Sequence, residues 1–252
     1  ISRNIGTSHM LLSGTYANNT FITVGHADTS TYPSLLTSSD GTTWTSRNTS
    51  GVMGTGNYIW EIIYANNKFL AVGGGGKIIT STNNGVTWSV SATVGTAQFL
   101  GVAYGNNTYV AGNEQNGVYS STDGTNWTQR DSSISVLDVA FGNNTFVVVG
   151  PSGKILSSTD GTNWTSRTSG TTNYLHEVAF GNDTFVATGN QGTIRTSSDN
   201  GTTWTSRSSG TTRGLDGIAF ANDTFVAAGD SGIIMTSSDN GTTWTSRASG
   251  TT

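Results

Sequence analysis

Ser197-Ser198-Asp199-Asn200-Gly201-Thr202-Thr203-Trp204 is a stretch built to reverse the chain. An Asp side chain accepts hydrogen bonds from backbone N–H groups two or three residues further on and so closes a tight turn. Asn-Gly supplies the left-handed backbone of a hairpin corner, which residues carrying a β-carbon mostly resist. The Trp then opens an outgoing strand and folds its large apolar face back beneath the turn. One strand therefore arrives at Ser197 and another leaves at Trp204.

The corner returns almost unchanged at Ser237–Trp244 and in altered form four more times upstream. The six copies are Asp40/Trp44, Asn83/Trp88, Asp123/Trp127, Asp160/Trp164, Asp199/Trp204 and Asp239/Trp244, with Trp-to-Trp steps of 44, 39, 37, 40 and 40 residues. The first, third and fourth are one residue shorter, and Asn83 keeps an acceptor oxygen while losing the charge. This motif resembles the Asp box, and the chain is similar to Asp-box (BNR-type) repeat proteins. The resemblance implies a β-propeller with a box in the turn between the third and fourth strands of each blade.

Working outward from the fifth copy, Leu175 to Phe180 reads as a strand, Gly181-Asn182-Asp183 as a turn and Thr184 to Thr188 as a second strand. Gly189 to Gly192 turns again, Thr193 to Ser198 forms a third strand, and Trp204 to Arg207 a fourth. Four short antiparallel strands recurring every forty residues or so is the pattern of a propeller blade. The inner strands, such as Phe146 to Val149, are apolar without alternation, as strands covered on both faces must be. The fourth strand is polar, which suits an outer edge. We therefore expect one all-β, six-bladed propeller domain over residues 1–252, excised from a longer protein. Its blades fall at about 9–47, 58–92, 98–130, 135–167, 174–207 and 214–247. Ring closure should bring residues near 1–10 beside residues near 245–252.

Charged residues make up 10% of the chain and the net charge is −4, so it carries no electrostatic footprint for nucleic acid. It has no cysteine, which excludes disulfides and thiolate metal sites. No apolar run is long enough to span a bilayer, so membrane insertion by this domain is not expected. No phosphate loop or metal-binding His cluster stands out, and no cofactor or metal is expected. Ten Asn-x-Ser/Thr sequons, among them Asn18, Asn48, Asn182 and Asn222, follow from the turn consensus.

Function should live where the repeats differ. The boxes and the Asn-Asn turns share one face, while the linkers and the turns between second and third strands share the other. His26 to Ser34 is much longer than its counterparts, and the linker Asn48 to Trp60, with Met53 and Tyr58, is enlarged. Irregular loops on a rigid scaffold are where binding residues concentrate. His26, Asp28 and Tyr32 read either as a polar ligand site or as a solvated loop trio. Trp60, the one Trp outside a box, reads as a stacking platform or as inter-blade packing, its position being filled by Leu100, Leu137 and His176 elsewhere. Tyr58 and Tyr174 flank the same strand starts. Glu61, Asp138 and Glu177 share one position of the innermost strand, and read as a ligand-holding cluster or as channel lining. Arg47, Arg130, Arg167, Arg207 and Arg247 follow box tryptophans and should lie over apolar surface as structural side chains.

The Asp-box resemblance implies several activities. Such propellers include sialidases and other glycosidases, photosystem assembly factors, sorting receptors and surface or virion adhesins. The sialidase likeness stops at the boxes, because the chain has no Arg-Ile-Pro signature and only Arg195 and Arg213 remain outside the outer-strand repeat. A paired-carboxylate glycosidase would have to draw on Glu61, Asp138 and Glu177. The expectation is a non-catalytic recognition module, extracellular, on a cell surface or on a virion, binding a cell-surface glycan or receptor. The alternatives are an Asp-box glycoside hydrolase and a structural or assembly propeller that binds a protein partner.

Overall fold

The computed structural model describes residues 10–26, 32–115 and 117–250. Within them the chain is a six-bladed β-propeller, each blade one sheet of four antiparallel strands in sequence order. Blade 1 comprises Leu11–Ala17, Thr20–Gly25, Leu35–Ser38 and Thr45–Ser46, and blade 2 Ile59–Ala65, Lys68–Gly73, Lys77–Ser81 and Ser89–Thr93. Blade 3 comprises Phe99–Gly105, Thr108–Asn113, Gly117–Ser121 and Thr128–Asp131, and blade 4 Asp138–Gly142, Thr145–Val149, Ile155–Ser158 and Thr165–Arg167. Blade 5 comprises Leu175–Gly181, Thr184–Gly189, Thr193–Ser197 and Thr205–Arg207, and blade 6 Leu215–Ala221, Thr224–Gly229, Ile233–Ser237 and Thr245–Arg247.

The turn chemistry explains the strand order. Each first hairpin closes on two residues with positive φ, as at Asn143 and Asn144 (45° and 58°) and at Asn182 and Asp183 (44° and 57°). That left-handed pair matches the right-handed twist of the strands, and Asn and Asp tolerate it best among residues with a β-carbon. In the corner from which the reading began, Ser197 Oγ donates to Asp199 Oδ1 (2.8 Å) and accepts from the Gly201 N–H (2.9 Å). The Thr203 N–H donates to Asp199 Oδ1 at 2.9 Å, so one carboxylate organises the whole loop. In the longer corners the indole N–H also donates to the glycine carbonyl: Trp88 to Gly85, Trp204 to Gly201 and Trp244 to Gly241, at 2.9–3.1 Å. The shorter corners leave the buried indole nitrogens of Trp127 and Trp164 without a partner.

These corners and the Asn-Asn turns lie together on one face, where Asn18 donates to Asn84 and Asn143 to Asn200, each at 2.6 Å. The opposite face gathers the linkers and the turns between second and third strands, joined by bonds such as Gly74 N–H to Tyr58 O (2.9 Å) and Asn190 N–H to Tyr174 O (3.0 Å). The first strands of successive blades pack on one another and form the innermost layer. The fourth strands are largely exposed, and their arginines are tied to the neighbouring strand. Each donates through Nε to a third-strand hydroxyl, for example Arg167 to Ser157 and Arg207 to Thr196, at 2.8 and 2.9 Å.

The core lies between blades rather than within them. Five apolar clusters join blades 1–2, 2–3, 3–4, 4–5 and 5–6, with Phe69, Tyr109, Phe146, Phe185 and Phe225 fully buried among them. Each such ring contributes roughly 1.5–3 kcal/mol of burial. The enlarged linker after blade 1 joins this core: Met53 is buried against blades 1 and 2 rather than displayed. Residues 1–9 and 251–252, on which the expected ring closure falls, lie outside the described residues. The first strands of blades 6 and 1 do not pack as the other five successive pairs do, and no apolar cluster joins these two blades among the described residues.

Trp44 packs differently from the other five corner tryptophans. Trp88, Trp127, Trp164, Trp204 and Trp244 each pack against the cluster that joins their own blade to the one before. Trp44 joins none of the five clusters; its ring contact is with Phe21 of its own blade, at 6.5 Å between centroids and 55° between planes. The reason is its place in the chain, because among the described residues no cluster joins blade 1 to blade 6, the one it would meet. Trp44 also precedes its outgoing strand, which begins at Thr45, and the other five stand just before theirs in the same way.

Candidate functional site

The first strand of every blade starts on the linker face, and side chains at its start reach the central channel. Equivalent positions there are Leu12, Trp60, Leu100, Leu137 (directly before its strand), His176 and Asp216, one from each blade. They ring a cavity of about 460 Å3, and Ser13, Glu61, Asp138 and Glu177 from the next position also line it. The upper ring is half-buried except for the exposed Asp216, apolar over blades 1 to 4 and polar at blades 5 and 6. His176 Nε2 lies 2.7 Å from Asn190 Oδ1 and 3.9 Å from Asp216 Oδ1.

Aromatic residues extend the rim on the blade 1–2 side. The Tyr58 and Trp60 rings stack at 4.8 Å with 7° between their planes, and His26 lies 4.3 Å from Tyr58 across a β-bridge. The Trp60 indole N–H donates to Gln98 Oε1 at 2.6 Å, so the ring is held in place across the blade 2–3 boundary. Three of the expected residues thus form one continuous run of ring contacts. Of the trio His26, Asp28 and Tyr32, Asp28 lies outside the described residues, Tyr32 is exposed, and His26 meets Tyr58. Tyr174, also exposed, sits 6.2 Å from the His176 ring on the far side of the mouth.

The three carboxylates brace blades. Glu61 accepts from the Val102 N–H (2.5 Å), Asp138 from the Val178 N–H (2.8 Å) and Glu177 from the Ile218 N–H (2.7 Å). Each reaches from its own first strand to the equivalent amide of the next blade. Burial pushes all three above the ordinary carboxylate range. At Glu61 the neighbouring charge of Asp138 adds to burial, at Asp138 that of Glu177 does, and Glu177 is pushed up to about 7. Among the described residues, no group of three or more His, Cys, Asp or Glu is placed to hold a metal ion. The corner aspartates behave oppositely, because backbone and side-chain donors hold Asp40, Asp123 and Asp160 well below the ordinary range.

Sequence reasoning missed Leu12, Gln98 and Asp216 as site residues. Two of them carried a signal, since each occupies the strand position already recognised for Trp60 and His176; Gln98 carried none. Arg195, left over from the outer-strand repeat, is buried and donates to the Ser169, Ile194 and Gly170 carbonyls and to the Ser206 hydroxyl. It ties the third strand of blade 5 to the linker before it.

Residues 12–136 match the model of the DUF6242 beta propeller domain. That match runs from blade 1 to the residues entering blade 4. No curated protein matches the sequence. Among solved structures, YCF48 from Cyanidioschyzon merolae superposes with a TM-score of 0.74 at 18% identity, covering 97% of this chain and 86% of that one. A structure of YCF48 bound to D1 peptide gives 0.76 at 20% identity, covering 97% and 82%. The computationally designed Ika8 protein gives 0.67 at 13% identity, covering 96% and 88%. At such identities the likeness is one of fold. Among the described residues no helix is long and apolar enough to cross a membrane.

Proposed function

We propose that this propeller is a non-catalytic protein-binding module that takes a peptide segment of its partner at the linker-face mouth of the channel. The observation that carries the reading is the mouth itself: six side chains, one per blade, around a cavity of about 460 Å3 with an apolar arc and a polar arc. Such a site, mostly apolar with a few placed polar groups, suits an amphipathic side chain or a short extended segment. The solved complex of YCF48 with a D1 peptide supports the reading, being a propeller of this fold that holds a peptide. The braced carboxylates support it too, because Glu61, Asp138 and Glu177 each commit an oxygen to the next blade instead of facing a scissile bond. The Asp-box likeness of the corners belongs to this reading as scaffold, with the ligand on the opposite face.

A second reading rests on one observation, the coplanar Tyr58–Trp60 pair. Stacked rings at a rim also suit the flat face of a sugar, as on a cell-surface glycan or receptor met outside the cell or on a virion. A displayed peptide library and a glycan array, screened with the same protein, separate the two. Selected peptides should lose at least about tenfold in affinity with Trp60→Ala or Leu137→Ala, as removal of a central anchor does. Glycan ligands lost on Trp60→Ala, with no peptide enriched, overturn the peptide reading. Peptides indifferent to both substitutions remove the channel mouth as the site.

A further inference from the structure

Five inter-blade boundaries repeat one set of contacts, and among the described residues the boundary between blades 6 and 1 lacks it. In the second strands, Leu70, Val110, Val147 and Val186 point towards the following blade and are wholly buried, and Ile22 is 1% exposed. Val226 holds the same position in blade 6 and is 39% exposed, and Ala228 two residues on is exposed as well. On the other side of the gap, Phe21 and Thr23 of blade 1 are half-exposed, whereas every counterpart, such as Phe185 and Ala187, is buried. The first strands agree. The rings of Phe141, Phe180 and Phe220 lie flat against Gly105, Gly142 and Gly181 of the preceding blade. Tyr16 is their counterpart in blade 1 and is 56% exposed, and Ala221, the small residue that should receive it, is exposed too. The corners complete the pattern. Gly161, Gly201 and Gly241 nestle on Val110, Val147 and Val186 of the blade before, while Gly41 touches only Phe21 of its own blade, as Trp44 does.

We propose that this gap is a docking slot for one further four-stranded blade of the same repeat. The two faces carry opposite halves of a boundary that the protein forms five times over. Blade 6 offers the face that receives a following blade, and blade 1 the face that meets a preceding one. Their inner strands border the same channel, where Leu12 and Ser13 share the cavity wall with Asp216. A single inserted blade meets both faces at once. It would set a first-strand aromatic over Ala221 and a corner glycine on Val226, and receive Tyr16 on a first-strand glycine or alanine. A second copy of the chain would cover only one face per contact, and such a heterologous contact propagates into open chains instead of closing.

The test compares the chain with a version extended by one more repeat, copied from residues 173–212 and appended after the last. In the 252-residue chain Val226→Asp should leave the thermal midpoint within about 2 °C of the parent, while Val186→Asp lowers it by roughly 10 °C. In the seven-repeat chain Val226→Asp should become as damaging as Val186→Asp. The extended chain should stay monomeric by light scattering, and amide exchange around Tyr16 and Val226 should slow at least tenfold. If the first appended repeat fails to fold, a copy of residues 134–172 serves as a second donor, and failure of both counts against the slot. Val226→Asp mild in both chains overturns the proposal. So does Val226→Asp severe in the shorter chain, which would mean that the gap closes on itself. Concentration-dependent multimers of the shorter chain that Val226→Asp dissolves would assign the face to a second copy.

Discussion

At the scale of single residues, the six corners are a controlled comparison built into one chain. A one-residue insertion decides whether a buried indole N–H finds an acceptor: Trp204 reaches the Gly201 carbonyl, and Trp164 reaches nothing. Removing one partner of a made hydrogen bond costs about 1 kcal/mol, whereas deleting an orphaned buried donor relieves its desolvation. Trp204→Phe should therefore destabilise the protein by about that amount beyond any packing loss, and Trp164→Phe should cost less. Urea unfolding of both variants checks it, and equal losses would refute the distinction. The channel carboxylates make a second prediction. With Glu177 raised from 4.5 to about 7, and Glu61 and Asp138 raised as well, the folded state holds protons that the unfolded chain releases. Their favourable contribution is whole below the ordinary carboxylate pKa and is lost as pH rises through about 7. The thermal midpoint should fall between about pH 5 and pH 8, and Glu177→Gln should flatten that fall. The corner aspartates, held low, act only in acid, where their contribution disappears as they protonate. A midpoint that climbs through neutrality would contradict this account.

At the scale of the element, the strand grammar is written in the turns. Asn144 and Asp183 sit at φ 58° and 57°, where a residue with a β-carbon is strained and glycine is not. Asp183→Gly should leave stability equal or raised by up to about 1 kcal/mol, while Asp183→Val should cost about 1–2 kcal/mol. Thermal scans of the two variants settle it, and the idea fails if valine is tolerated as well as glycine. Because turn chemistry is local, nearly everything that depends on it was legible in the sequence: six blades, four strands in each, the two faces, and the polar outer strand. The channel ring was legible in part, since Trp60, Leu100, Leu137 and His176 declare their equivalence by position. The outer-strand arginines were legible as structural but not in their partners, although each follows a third-strand Ser or Thr by ten or eleven residues. The contact of His26 with Tyr58 was not legible, because it depends on how two irregular segments from different blades meet.

At the scale of the whole molecule, identical words meet different fates, and no local signal tells them apart. Thr-Phe-Val-Ala recurs at Thr184–Ala187 and Thr224–Ala227, yet Val186 is buried and Val226 is not. Trp44 closes the same kind of corner as Trp164, yet only Trp164 reaches an inter-blade core. The difference lies in what stands on the far side of the sheet, a property of the arrangement and not of the strand. Since the apolar cores sit between blades, stability should approximate a sum of boundary contributions, as in other repeat arrays. Blades 2 to 5 each share two cores, and blades 1 and 6 each share one. Local opening should therefore be easiest at the two blades flanking the gap and hardest in the middle of the array. Native-state amide exchange should rank the second-strand amides accordingly. Val147 and Val148 of blade 4 should exchange only through the largest openings, and Ala227 and Ala228 of blade 6 through smaller ones. Leu70→Ala, which opens the boundary between blades 2 and 3, should lower protection in those two blades more than in blade 6. Uniform protection around all six blades would mean that the gap transmits cooperativity as well as a packed boundary does, and the array picture would have to be replaced by a closed ring.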